Sequence, residues 1–221
     1  MKPLSLSLLA LVGITLLICG NVSAQAVPGG VCKDVSERTG DVGCWILAHD
    51  KLGKLPSPPV FWHLDVYPTL AAAQASKTSH STVLEAFGQV WLLTIDRQDW
   101  RPNKGQHIAD IGPLPVDSSR DYSAQYMEAV FTPGMTAPAH THSGPEAWYM
   151  LSGESCLETP EGKQIGRAGG KPVIVPGGLP MHLTATGTET RRALALILHD
   201  SSQPATTHVH DWAPKGLCNS K

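Results

Sequence analysis

Charge is scarce in this sequence. Only 16% of residues are charged, and 17 Lys and Arg against 19 Asp and Glu leave a net charge of −2. No basic stripe exists, which excludes nucleic acid as a partner. Beyond the N-terminal run, no stretch is apolar for long enough to cross a bilayer, so stable membrane insertion is not expected. Long helical periodicity is missing as well. Gly (21) and Pro (18) are spread along the chain without a period, which excludes a helical bundle or a collagen and suits short strands joined by turns. There is no Gly-x-Ser-x-Gly elbow, phosphate loop or dinucleotide glycine fingerprint. A hydrolase acting through an activated serine therefore has no support. No internal repeat or low-complexity tract is present.

What is present begins with a leader pattern. Lys2 is the only charge before Lys33, the apolar run "LSLLALVGITLLIC" follows, and "VSA" ends at Ala24 with small residues at both recognition positions. This predicts a signal peptide over residues 1–24 and an exported protein, periplasmic or secreted. The chain after Ala24 keeps Cys32, Cys44, Cys156 and Cys218. An even count in an exported chain favours disulfides. Of the possible connectivities, Cys32–Cys44 closes a short local loop and Cys156–Cys218 would pin the tail to the body. The spacing is not that of a zinc ribbon, and a thiol nucleophile is not expected.

Hydrophobic alternation organises the rest. "VFWHLDVYP" reads as a strand, and "TLAAAQASK" as a short helix capped by Thr69. "STVLEAF" and "QVWLLTI" read as a strand pair around Gly88. From Tyr122 onward, strand follows strand, with turn residues between them, through "RRALALILHD". Such spacing predicts a sandwich or small barrel. The tail after Ser201 is polar and without period.

One stretch carries chemistry: "HTHSGPE", holding His140, His142 and Glu146. Residues two apart on a strand share a face, so the two imidazoles project together. "SGP" turns the chain, and Glu146 opens the next strand beside them. Two imidazoles and a carboxylate can form three adjacent corners of a coordination sphere and leave positions open for substrate or dioxygen. Such ligands suit a divalent transition metal rather than calcium.

Gly134, His140, His142, Glu146 and Gly153 stand at every offset of the first cupin motif, and the sequence resembles the cupin superfamily on that basis. A second motif is matched by Gly170, Pro176, Gly178 and His182, with two departures. His182 lies one residue later than usual after Gly178, and Thr186 stands where an asparagine is common. The resemblance covers about residues 120–200. It implies an all-β jelly-roll barrel of two antiparallel sheets over 80–200, an extension over 25–79 with extra strands and one short helix, and a tail over 201–221. Residues 60–119 are expected to add strands to the barrel.

The resemblance also implies His182 as a fourth metal ligand beside His140, His142 and Glu146. If the "GGLP" turn does not absorb the extra residue, Met181 faces the metal instead and three ligands remain. Iron or manganese is favoured; nickel, zinc and copper also fit the ligand set. Trp148 and Met150 share a face with Glu146 and are candidate pocket walls, with Thr184 on the face of His182. Arg191 and Arg192 face opposite ways; if one points into the barrel it could hold a substrate carboxylate, with Arg192 the candidate taken, and the other reading is a solvated pair at a strand start. Glu146 is the candidate catalytic group, as ligand or as base. The implied function is a small-molecule enzyme of oxygenase type, a monomer or homodimer acting on a small-molecule ligand or substrate. The alternatives are a non-catalytic cupin binding a sugar or small organic acid, and a germin-like dismutase or oxalate oxidase. The three-residue gap between His142 and Glu146 counts against the last. His208 and His210 form a second His-x-His and read as surface residues.

Overall fold

In the computed structural model, which describes residues 32–219, the regular structure is nearly all strand. The expected leader over 1–24 lies outside the described residues. In chain order the strands are β1 (Lys33–Asp34), β2 (Gly43–Gly53), β3 (Val60–Tyr67), β4 (Ser81–Ala86), β5 (Gln89–Arg97), β6 (Gln106–Leu114), β7 (Tyr122–Phe131), β8 (Thr136–Thr141), β9 (Glu146–Ser152), β10 (Glu154–Thr159), β11 (Gly162–Arg167), β12 (Val173–Val175), β13 (Met181–Thr186), β14 (Arg191–Asp200) and β15 (Thr207–His208). One short helix, α1 (Leu70–Gln74), follows β3. Thr69 caps it, its side chain accepting from the Ala72 amide.

Three sheets result: a six-stranded one in the order β1-β2-β7-β14-β9-β12, a five-stranded one in the order β11-β10-β13-β8-β15, and a four-stranded one in the order β4-β5-β3-β6. The first two enclose the barrel that the cupin resemblance implies. The side-chain period of two explains the arrangement. Along β14, Ala193, Ala195 and Ile197 face the barrel interior with Met127, Trp148 and Met150, while Leu194, Leu196 and Leu198 face the opposite way with Tyr126 and Ala147. Both faces of the large sheet are apolar, so both must be covered.

The four-stranded sheet supplies the second cover. Trp62, Leu64, Trp91, Leu93 and Ile95 pack on the outer face of the large sheet, with the Trp62 ring 6.1 Å from that of Tyr126. Each fully buried Leu or Ile there contributes about 1.5–3 kcal/mol. This corrects the expectation that residues 60–119 extend the barrel: they form a separate sheet stacked on it. The division at residue 79/80 does not follow the sheets either. β4 to β6 belong with β3, whereas β2 pairs with β7 in the barrel's large sheet.

The tail is also more ordered than its sequence suggests. β15 pairs antiparallel with β8, placing His208 opposite His140. Further on, the Glu158 carboxylate accepts from the amides of Lys215 and Leu217. Disulfides join Cys32 to Cys44 and Cys156 to Cys218, with Cα–Cα separations of 4.6 and 5.6 Å. Among the described residues, no helix is long and apolar enough to cross a membrane.

Candidate metal centre

His140 and His142 lie at the end of β8 and just beyond it, and Glu146 opens β9. The turn between them is fixed by backbone packing. A Cβ on Gly144 would come within 2.1 Å of the Leu198 carbonyl oxygen, and one on Gly177 within 2.6 Å of the Gly144 Cα. Only glycine permits both approaches. The Gly178 amide then donates to the His142 carbonyl at 2.7 Å, tying the second-motif turn to the first.

The ligand atoms of His140, His142 and Glu146 all lie within 4.8 Å of one another. The two imidazole rings meet edge-on at 4.8 Å between centroids. Each ring is oriented from behind. Nδ1 of His140 lies 2.7 Å from the Pro138 carbonyl, and Nδ1 of His142 lies 2.7 Å from the Ala205 carbonyl. A carbonyl only accepts, so Nδ1 carries the proton on both rings and Nε2 keeps its lone pair. That is the tautomer a metal requires. Trp148 Nε1 donates to Glu146 Oε1 at 2.8 Å, leaving Oε2 facing His142 Nε2 at 3.4 Å.

Two of these buried atoms have no hydrogen-bond partner: His142 Nε2 and Glu146 Oε2. Unsatisfied buried polar groups are costly, and two lone pairs converging on one point call for a cation. The residues present fit a divalent transition metal. Burial alone would raise the Glu146 carboxyl. The adjoining imidazoles of His142 and His140 and the Trp148 indole outweigh it and hold the carboxyl below its ordinary value. Burial, then the neighbouring His142, lowers His140.

A cavity of about 290 Å³ opens from this corner into the barrel. Its wall is mostly apolar, including Met127, Leu157, Leu183, Ala195 and Ile197, and Trp148 lines it as expected. Four expected site residues are elsewhere. Along β13, Met181, Leu183 and Ala185 face the interior. His182 and Thr184 therefore face outward, paired across the strand with Glu158 and Cys156. The turn does not absorb the extra residue, and a one-residue shift on a strand exchanges its faces. His182 is thus no ligand in this geometry, Thr184 does not line the cavity, and Met181 takes the inward slot. Arg192 is exposed; its neighbour Arg191 points inward and is buried. Met150 is buried in the barrel core and packs against Ser155, and does not line the cavity.

Three features went unread in the sequence. His208 lines the cavity mouth across from His140, because directly opposed residues of an antiparallel pair share a face. No local pattern announces the pairing of β15 with β8. A second polar cluster lies on the four-stranded sheet: His63 with Asp110 at 2.6 Å, Asp110 with Arg101 at 2.6 Å, and His107 with Asp65 at 3.0 Å. His49 and His199 meet through their Nε2 atoms at 2.8 Å.

No protein-family model matches the sequence, and no curated protein matches it. Solved structures do. A cupin superfamily protein from Desulfitobacterium hafniense is similar at 18% identity over 39% of this chain and 74% of its own, with a TM-score of 0.32. A cupin-like protein from Thermotoga maritima is similar at 15% identity over 43% of this chain and 71% of its own, with a TM-score of 0.38. A DMSP lyase from Ruegeria pomeroyi is similar at 23% identity over 42% of this chain and 45% of its own, with a TM-score of 0.34.

Proposed function

We propose that this chain is an exported cupin enzyme that uses one mononuclear metal, iron or manganese, to carry out an oxygenase-type reaction on a small molecule. The observation that carries the reading is the pair of partnerless buried atoms, His142 Nε2 and Glu146 Oε2, in a His/His/Glu corner that opens on a cavity. Export is supported by the apolar leader in the sequence and by the two disulfides.

A bound metal would supply Lewis acidity toward a substrate oxygen and a site for dioxygen. The protein's own part is orientation and exclusion of water. Pro138 and Ala205 fix the two imidazoles, and Trp148 fixes the carboxylate through Oε1. Glu146 Oε2, held ionised, would be the ligand atom or, once off the metal, the group placed to accept a proton from substrate. Met127, Ala195 and Ile197 keep the far wall apolar, which strengthens every charge interaction at the corner.

Oxygen uptake tests the reading. Protein reconstituted with Fe(II) or Mn(II) is assayed against oxygen-chelating phenols and diketones. Metal-dependent uptake that disappears in His142→Ala is expected. Tight binding across the panel with no turnover would instead identify a non-catalytic binding cupin.

A further inference from the structure

We infer that the cavity takes a small organic acid, with its carboxylate on Arg191 and an oxygen donor directed at the His/His/Glu corner; this rests on the metal-centre reading above for its second half only.

Arg191 opens β14, on the face that carries Ala193, Ala195 and Ile197 into the barrel. It is 1% exposed and lines the same cavity as His140, His142 and Glu146. A guanidinium is among the costliest groups to bury, and such a cation ordinarily has a carboxylate partner. Arg191 has none among the described residues. Its Nε donates to the Ser155 hydroxyl, and its Cζ sits 5.2 Å from the Phe131 ring centroid and 5.1 Å from that of Trp148. Two aromatic faces and one hydroxyl hold the cation without neutralising it. Among the described residues the Nη groups, the half of the fork suited to a carboxylate, have no hydrogen-bond acceptor. Burial pulls the guanidinium down to about 10, with Glu146 opposing, so it remains charged at neutral pH.

Trp148 spans the interval between the two ends of the cavity. Its Nε1 donates to Glu146 Oε1, and its ring lies against Arg191. Trp148 thus touches both the guanidinium and the carboxylate of the corner, and the mostly apolar wall of the cavity suits an aryl or short alkyl body. Charge bookkeeping favours the same occupant. Among the described residues, Glu146 is the only acid lining the cavity with Arg191. Once Glu146 ligates a divalent metal, the cavity holds an excess of positive charge in apolar surroundings, and a monoanion offsets it. A neutral sugar would leave the guanidinium fork unpaired.

The test is titration calorimetry with hexanoate, phenylacetate and 4-hydroxyphenylacetate, each against its carboxamide, on Mn(II)-loaded and metal-free protein. At least one acid is expected to bind about tenfold or more tightly than its amide. The preference should vanish in Arg191→Met, whose Mn(II) affinity is measured alongside and should not fall. If that variant does not fold, Arg191→Lys, which keeps the charge and loses the fork, should show a reduced preference. Equal binding of every acid and amide, no binding by any, or a preference that survives Arg191→Met would overturn the anchor. Metal content separates the two readings. A preference found in protein that binds no metal keeps the anchor and removes the metal centre, whereas bound metal without any preference removes the anchor alone.

Discussion

Trp148→Phe removes one hydrogen atom's worth of chemistry from the corner. Among the described residues the indole N–H is the sole donor to Glu146 Oε1, at 2.8 Å, and Oε2 has none. Phenylalanine keeps an aromatic face toward Arg191 but cannot donate. A hydrogen bond to a charged acceptor is worth about 1.5–3 kcal/mol, which converts to roughly a 10- to 100-fold loss of metal affinity. That range agrees with the usual effect of removing a group that orients a metal ligand. Competition against a chromophoric chelator measures it. Because the ring is smaller, some stability is also lost, so Phe131→Leu serves as the control. It removes aromatic volume from the same cavity and no donor to Glu146, and should leave metal affinity within about twofold. If Trp148→Phe binds metal as tightly as the parent, the claim that this indole fixes the ligand carboxylate is wrong.

Other consequences can be checked alongside. His182→Ala should leave metal affinity within about twofold, while His142→Ala should lower it by a factor of 100 or more, roughly the loss of one of three ligands; a large loss in His182→Ala would show that the outward-facing ring does reach the metal. Metal-free protein should lose stability on acidification. His140, His182 and His199 are all lowered, chiefly by burial, so the folded state binds fewer protons than the unfolded one once pH falls below the ordinary histidine value of 6.5. A melting temperature that is flat or rises from pH 7 downward to 5 would contradict this sign. Thiol titration of the unfolded, unreduced protein should find no reactive groups at Cys32, Cys44, Cys156 and Cys218. Reduction should speed amide exchange over the tail that Cys218 anchors.

The barrel and the clustering of His140, His142 and Glu146 were legible because they rest on local periodicity. The alternation from Tyr122 to Asp200 fixes strands, and the offsets among Gly134, His140, His142, Glu146 and Gly153 fix a hairpin. His182 failed for a physical reason: a strand has only two faces, and one added residue in "GGLP" moves the whole of β13 to the other. The inward choice of Arg191 over Arg192 follows from register, since Glu146 pairs with Ile197 and Arg191 shares its parity along β14. The stacked third sheet left a signal that was not used. "YSAQYMEAVF" is buried at every position, and "ALALIL" is apolar on both faces, which no two-layer barrel with a solvated outer face would require. His208 and the clustering of His63 and His107 with acids come from long-range pairing, and neighbouring residues carry no trace of it.

The most direct test of the central claim is elemental analysis of the protein isolated from its native compartment without chelators. The account predicts about one iron or manganese per chain, lost in His142→Ala with the fold retained. Protein that is metal-free, or that keeps its full metal content without His142, would contradict it.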